Sequence, residues 1–205
     1  MTLTLSIVTL IFAVITIYAK LRENELFQII FKPLTMLAII LLVYVNSSAP
    51  MTFCQQAILA GLIFSLIGDV FLIRQDQFFV PGLICFLIGH LCYITAFWTQ
   101  PNLISVVFYL IYVVFFLKLL WQYLGKLKIP VVIYSLILAV MSWMALSLTV
   151  QHPDHHTFHA LLGSVLFIAS DSLLAVNKFK KPFRFAHFWI LATYFLAQWM
   201  IALSV

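Results

Sequence analysis

Charge is what this sequence has least of. Only 8% of its 205 residues are charged and 65% are hydrophobic, whereas roughly a quarter of an ordinary soluble domain is charged. So little polar surface cannot cover a water-facing globule, which leaves a polytopic membrane protein. Cysteine is scarce too. Cys54, Cys85 and Cys92 fall in or beside apolar stretches with no CxxC or Cys/His spacing, so they read as small core residues. Glycine, with six copies, forms no nucleotide-binding loop, and no low-complexity tract is present. The net charge of +5 has no soluble basic domain to hold a nucleic acid, so no nucleic-acid partner is expected. A basic membrane rim that attracts anionic head groups is the simpler reading.

What is present is a series of long apolar runs. A membrane helix needs about 20 such residues, with roughly 17–25 as the working range. That ruler gives eight segments, at about 3–19, 29–45, 54–73, 78–98, 103–121, 131–150, 159–176 and 185–204. They are separated by "KLRENE", "NSSAP", "RQDQ", "TQPN", "GKLKIP", "QHPDHH" and "NKFKKPFR". The first run has its positive residues, Lys20 and Arg22, after it, unlike a cleaved leader, and is expected to be retained as a helix. The expected fold is all-α, a single eight-helix transmembrane domain over residues 1–205.

The basic residues test that count independently. Lys20, Arg22 and Lys32 flank the first connection and Arg74 the third. Lys118, Lys126 and Lys128 surround the fifth; Lys178, Lys180, Lys181 and Arg184 fill the seventh. These are all eleven lysines and arginines, and the even-numbered connections and both termini have none. Cytoplasmic loops concentrate Lys and Arg, so both termini are expected on the non-cytoplasmic side. The compact chain points first to a bacterial inner membrane.

Against that frame the ionisable residues inside the spans stand out. Asp69 in "GLIFSLIGDVFLI" lies about one helical turn above the inner edge, and Asp171 in "GSVLFIASDSLLAV" about one and a half turns. Lys32 in "FKPLTM" begins the second span at the same edge, with Pro33 at a tolerated early helical position. An aspartate at a helix centre costs about 2.5–3.5 kcal/mol, and such residues face the bundle interior. Gly61, Ser65 and Asp69 repeat at i, i+4, i+8, as do Gly163, Phe167 and Asp171, so both acids are expected to point inward where helices pack closely. The alternative is structural, with the acids pairing to Lys32 or Arg74 simply to hold helices together.

His90 in "GLICFLIGHLCYI" sits near mid-membrane with Tyr93 three residues on, and is either functional or a structural interhelical donor. His187, Tyr194 and Gln198 share a face of the last span that lines the interior without an assigned role. In "HPDHHTFH", His155 and His159 have the i, i+4 spacing of a metal pair. They lie in a short loop on the outer side, far from the acids, and no metal is expected there.

"FKPLTM", "FSLIGDVFL", "GLICFLIGHLCYI" and "GSVLFIASDSLLA", in this order, resemble the YhhN-like family of integral membrane proteins, over roughly residues 30–200. Characterised members of that family are lysoplasmalogenases. The resemblance implies that Asp69 and Asp171 are the catalytic pair and that Lys32, His90 and Tyr93 belong to the site, binding and orienting substrate. It implies hydrolysis of the sn-1 vinyl ether of a lysophospholipid to a fatty aldehyde and a glycerophospho-alcohol. Vinyl ethers hydrolyse by protonation of the β-carbon, which calls for a positioned acid and a nearby anion. No metal or organic cofactor is called for, and no obligate protein partner is evident.

Other readings of the same acids stay open. A proton-coupled transporter or lipid-binding protein would use them as a relay, although the Gly/Pro-broken helices expected in matching halves are not seen. A lysophospholipase would cleave acyl esters instead. An intramembrane aspartyl protease fits poorly, because Leu66 rather than glycine stands two residues before Gly68 and no Pro-Ala-Leu element follows.

Overall fold

The computed structural model describes residues 2–205, with side chains described at all of these except 75 and 76. Helices α1 (Thr2–Leu21), α2 (Glu25–Asn46), α3 (Phe53–Ile73) and α4 (Gln75–Ala96) form the first half of the chain. After them come α5 (Val106–Leu120), α6 (Lys128–Gln151), α7 (His155–Ala175) and α8 (Ala186–Ala202). Two short 3₁₀ turns join α5 to α6, and a π-helical turn, Val176–Lys180, extends α7.

Seven of these helical segments are long and apolar enough to cross a membrane, and α8 is a shorter apolar helix. Its 17 residues span about 25 Å, at the lower limit for crossing a hydrocarbon layer about 30 Å thick. The protein is an all-α polytopic membrane bundle. Its outward faces carry exposed apolar side chains such as Leu3, Ile104 and Phe108, whereas polar groups such as Ser65, Asp69, His90 and Gln198 are buried.

Capping fixes several helix starts. The Asn24 side chain accepts from the Phe27 amide at the head of α2. Thr52 with Gln55, and Asp154 with Thr157, form reciprocal capping boxes at α3 and α7. The cap at Asn24 corrects one expectation, because Lys32 does not begin the second span. Glu25 and Gln28 are already helical, α2 starts two turns earlier, and Pro33 lies inside it. Pro81 likewise sits inside α4, and its missing amide leaves a local break at Phe78 (φ −119°, ψ 22°). The seventh helical segment also outruns its expected end, continuing to Lys180 through the π turn.

Helices α1, α2, α3, α4, α6, α7 and α8 pack in that cyclic order, with α8 also touching α2 and α3. Helix α5 lies outside this ring against α6. Adjacent helices approach closely where glycine allows it. A Cβ on Gly61 would meet the Tyr93 ring of α4 at 2.3 Å, and one on Gly68 would meet the Phe86 ring at 2.8 Å. Gly68 thereby lets α4 press against the turn that carries Asp69.

Candidate active site

The connections α1–α2, α3–α4, α5–α6 and α7–α8 all emerge at one end of the bundle, and a cavity opens beneath them. The C-terminal turns of α1, α3 and α7 and the N-terminal parts of α2, α6 and α8 supply its walls. Lys32, Asp69 and Asp171, singled out from three distant segments, all line it. Asp69 is buried, with 1% of its surface exposed, and Asp171 is partly exposed.

Each acid has its own set of partners. Lys32 Nζ lies 2.9 Å from Asp69 Oδ1. The Tyr194 hydroxyl donates to Asp69 Oδ2 at 2.6 Å. Gln198 Nε2 in turn donates to the Tyr194 oxygen at 3.2 Å, and the Tyr93 hydroxyl donates to Gln198 Oε1 at 2.8 Å. Tyr93 is therefore absent from the cavity wall and reaches Asp69 only through Gln198 and Tyr194. Gly61 makes room for its ring.

Asp171 faces no lysine at such a distance among its described partners. The Tyr134 hydroxyl donates to Asp171 Oδ2 at 2.5 Å. His90 Nε2 lies 3.1 Å from the same tyrosine oxygen and 3.7 Å from Asp171 Oδ2. With Tyr134 donating to the acid, its oxygen accepts from His90, which assigns the imidazole hydrogen to Nε2. The other ring nitrogen, Nδ1, is buried without a hydrogen-bond partner.

The two sets meet across aromatic rings. Phe167 packs edge-on against both His90, at 4.6 Å between centroids, and Tyr194, at 5.6 Å. Phe86 packs edge-on against Tyr194 and Phe167 and also lines the cavity. Toward the bundle end the wall turns polar, with Lys20, Gln28 and His187. An ammonium-paired carboxylate and a tyrosine-bonded carboxyl thus share one cavity whose inner walls are apolar.

Of the polar face on α8, His187 and Tyr194 line the cavity and Gln198 stands behind them. Tyr134 was not legible in "VVIYSLILAV", where a single tyrosine in an apolar run is equally at home facing lipid. At the opposite end of α7, Asp154 of the histidine-rich loop caps the helix by accepting from the Thr157 amide at 2.8 Å. Among the described residues no group of three or more His, Cys, Asp or Glu is placed to hold a metal ion.

A multi-pass helical membrane protein with buried acids around an internal cavity is the class that fold and site define. The chain belongs to the YhhN family, whose model matches residues 27–205. It is 35% identical over 158 residues to lysoplasmalogenase TMEM86A of Homo sapiens, a match covering 72% of this chain and 64% of that protein. Lysoplasmalogenase TMEM86B of Homo sapiens is 35% identical over 153 residues, covering 73% of this chain and 63% of the relative. The membrane protein YhhN of Escherichia coli O157:H7 is 27% identical over 186 residues, 86% of each chain. The chain matches just under two thirds of the length of these lysoplasmalogenases. No solved structure matches it.

Proposed function

We propose that this protein is a membrane hydrolase that cleaves the sn-1 vinyl-ether bond of lysoplasmalogens, with Asp69 and Asp171 acting as an unequal pair. The observation that carries this reading is the difference in partners around one cavity, a lysine on Asp69 and a tyrosine–histidine chain on Asp171. The relatives named lysoplasmalogenase support the substrate class.

Lys32 supplies the counter-charge that lets Asp69 stand as an anion in a dry site. Asp171 is the acid. Its hydrogen bond with Tyr134 serves both of its proton states with the same heavy-atom positions. When Asp171 is ionised, Tyr134 donates to it and accepts from His90 Nε2. When it is protonated, Asp171 donates to the Tyr134 oxygen, which keeps its hydrogen bond from His90 Nε2 while the Tyr134 hydrogen turns away. The Asp171 proton goes to the β-carbon of the vinyl ether, the double bond shifts, and an oxocarbenium ion forms at the ether-bearing carbon. The Asp69 carboxylate stabilises that cation. Water adds to the cationic carbon and gives its proton to the Asp171 carboxylate. The resulting hemiacetal collapses as Asp171 protonates the glycerol oxygen, its C–O bond to glycerol breaks and Asp171 takes the hemiacetal hydroxyl proton, releasing fatty aldehyde and glycerophospho-alcohol and restoring the acid. No covalent enzyme intermediate forms.

The polar end of the lipid lies toward Lys20, Gln28 and His187, with Lys32 shared between Asp69 and a phosphate oxygen. In this reading the eight helices act as one transmembrane domain in a bacterial inner membrane. The basic end with its cavity faces the cytoplasm and both termini face away, as the clustering of Lys and Arg favours.

The test is to incubate purified protein with vinyl-ether, alkyl-ether and acyl lysophospholipids and identify products by mass spectrometry. Aldehyde from the vinyl ether alone, lost in Asp171→Asn, is the expected result. Fatty acid from the acyl lipid alone would make the protein a lysophospholipase, and proton-coupled flux in proteoliposomes without any product would make it a transporter.

A further inference from the structure

Behind Asp171 lies a second, narrower apolar space between α5, α6, α7 and the start of α4. Leu83, Tyr134, Asp171 and Leu174 line both it and the charged cavity, so the two spaces share a wall that includes the proposed acid. The second chamber differs sharply in chemistry. Its walls are built from apolar side chains such as Phe79, Phe116, Val131, Leu138 and Phe179, and apart from Asp171 they carry no charge.

The hydroxyls on those walls are turned to protein partners. Tyr112 bonds Ser172 at 2.9 Å, and Ser172 donates to the Ile168 carbonyl at 2.6 Å. Ser135 donates to the Val131 carbonyl at 2.7 Å, and Tyr134 to Asp171 at 2.5 Å. Each hydroxyl hydrogen there is committed, so a polar occupant would lose its own hydration with nothing to replace it. An alkyl chain would lose nothing. The chamber also separates two packed cores, the main one carrying Phe79 and Leu138, and a small one of Phe116, Leu120, Leu124 and Val131 under α5.

We propose that this chamber takes the aliphatic chain of a single-chain lipid whose polar end occupies the charged cavity, and so sets chain-length preference. The proposal rests on the lysolipid reading above. It threads the bond between chain and head group past Asp171 and Tyr134, the two polar groups common to both spaces.

Two variants outside the acid site test it. Val131→Phe fills the chamber from α6, and Phe116→Ala enlarges it from α5. Each methylene kept out of an apolar site lowers kcat/KM by about fourfold, from a burial free energy of about 0.8 kcal/mol. Val131→Phe should therefore cut turnover of a hexadecenyl substrate about tenfold or more while sparing an octenyl one. Phe116→Ala should move the optimum toward longer chains. A measurement independent of turnover accompanies them. An alkyl-ether lysophospholipid, which this chemistry does not cleave, carries a diazirine at its chain end and is photolysed with the protein in nanodiscs. Label is expected on Val131, Leu138 or Phe116. Label there with no turnover of any lipid would uphold the chain site while sinking the hydrolase reading. Absence of label from all three positions, or unchanged chain preference in both folded variants, would overturn the chain site.

Discussion

The ion pair between Lys32 and Asp69 offers the sharpest perturbation, because a structural strut and a catalytic anion respond differently to its removal. At 2.9 Å and an effective dielectric constant of about 20, the attraction is worth about 6 kcal/mol. Desolvation offsets most of that, since each buried ion forfeits several kcal/mol of hydration. Both side chains are nearly buried, 11% and 2% exposed, so neither can recover that hydration once its partner is gone. Lys32→Met should therefore destabilise the protein by about 3–5 kcal/mol. Asp69→Asn removes the other charge and strands the ammonium. The double variant removes both and should recover at least about 2 kcal/mol over the sum of the single losses. Unfolding in mixed micelles titrated with sodium dodecyl sulfate measures the cycle, and aldehyde release measures activity in the same samples. A double variant that regains stability and stays inactive is the expected result. Additivity within about 0.5 kcal/mol would refute the coupling. Activity returning with stability would reduce Asp69 to a helix strut.

Three further outcomes follow from the geometry. Tyr134→Phe deletes the hydroxyl 2.5 Å from Asp171; losing a hydrogen bond to a charged group, about 1.5–3 kcal/mol, should lower kcat about 10- to 150-fold with KM little changed, and an unaltered pH–rate profile would contradict the relay. Gly61→Ala places a Cβ 2.3 Å from the Tyr93 ring, which is held by Gln198, and should cost about 1–3 kcal/mol by overpacking; an unshifted thermal midpoint would reject the close approach. Outside the membrane spans, the Thr157 amide holds the Asp154 carboxyl below its ordinary range. Its stabilisation of the α7 start is thus full above the usual carboxylate pKa and disappears as pH falls through the lowered value, so acid should speed hydrogen exchange at Thr157 in the native protein but not in Asp154→Ala.

How much of this was legible in the sequence depends on contrast. Asp69 and Asp171 stand out because almost nothing else in their spans is polar, and the cost of a charge in hydrocarbon makes such residues point inward. The stripes of Gly61, Ser65 and Asp69 gave the right face of α3, which is buried along its length. Span ends were less legible. Charged and amide residues between Leu21 and Gln28 look like a loop by hydropathy, yet Asn24 caps a helix there and carries Lys32 two turns into α2. Tyr134 offered no contrast at all, since its ring matches its apolar neighbours. Only the packing of α6 between α4 and α7 brings its hydroxyl to both His90 and Asp171. Partnerships such as Tyr93 with Gln198, over a hundred residues apart, are set by which helices adjoin, and no local pattern carries that information.

The same packing explains why two similar acids have different neighbours. Asp69 sits where α3 meets α2 and α8, so its neighbours are Lys32 and Tyr194. Asp171 sits where α7 meets α6, and Tyr134, backed by His90 of α4, is what the bundle presents to it. In the proposed mechanism Lys32 fixes a charge on Asp69, whereas the Tyr134 hydroxyl can donate to Asp171 or accept from it without moving heavy atoms. On the proposed reading, the helix order alone separates a donor from a stabilising anion. It also sets the proposed donor on the wall between the charged cavity and the apolar chamber, where an amphiphile's reactive bond would come to rest.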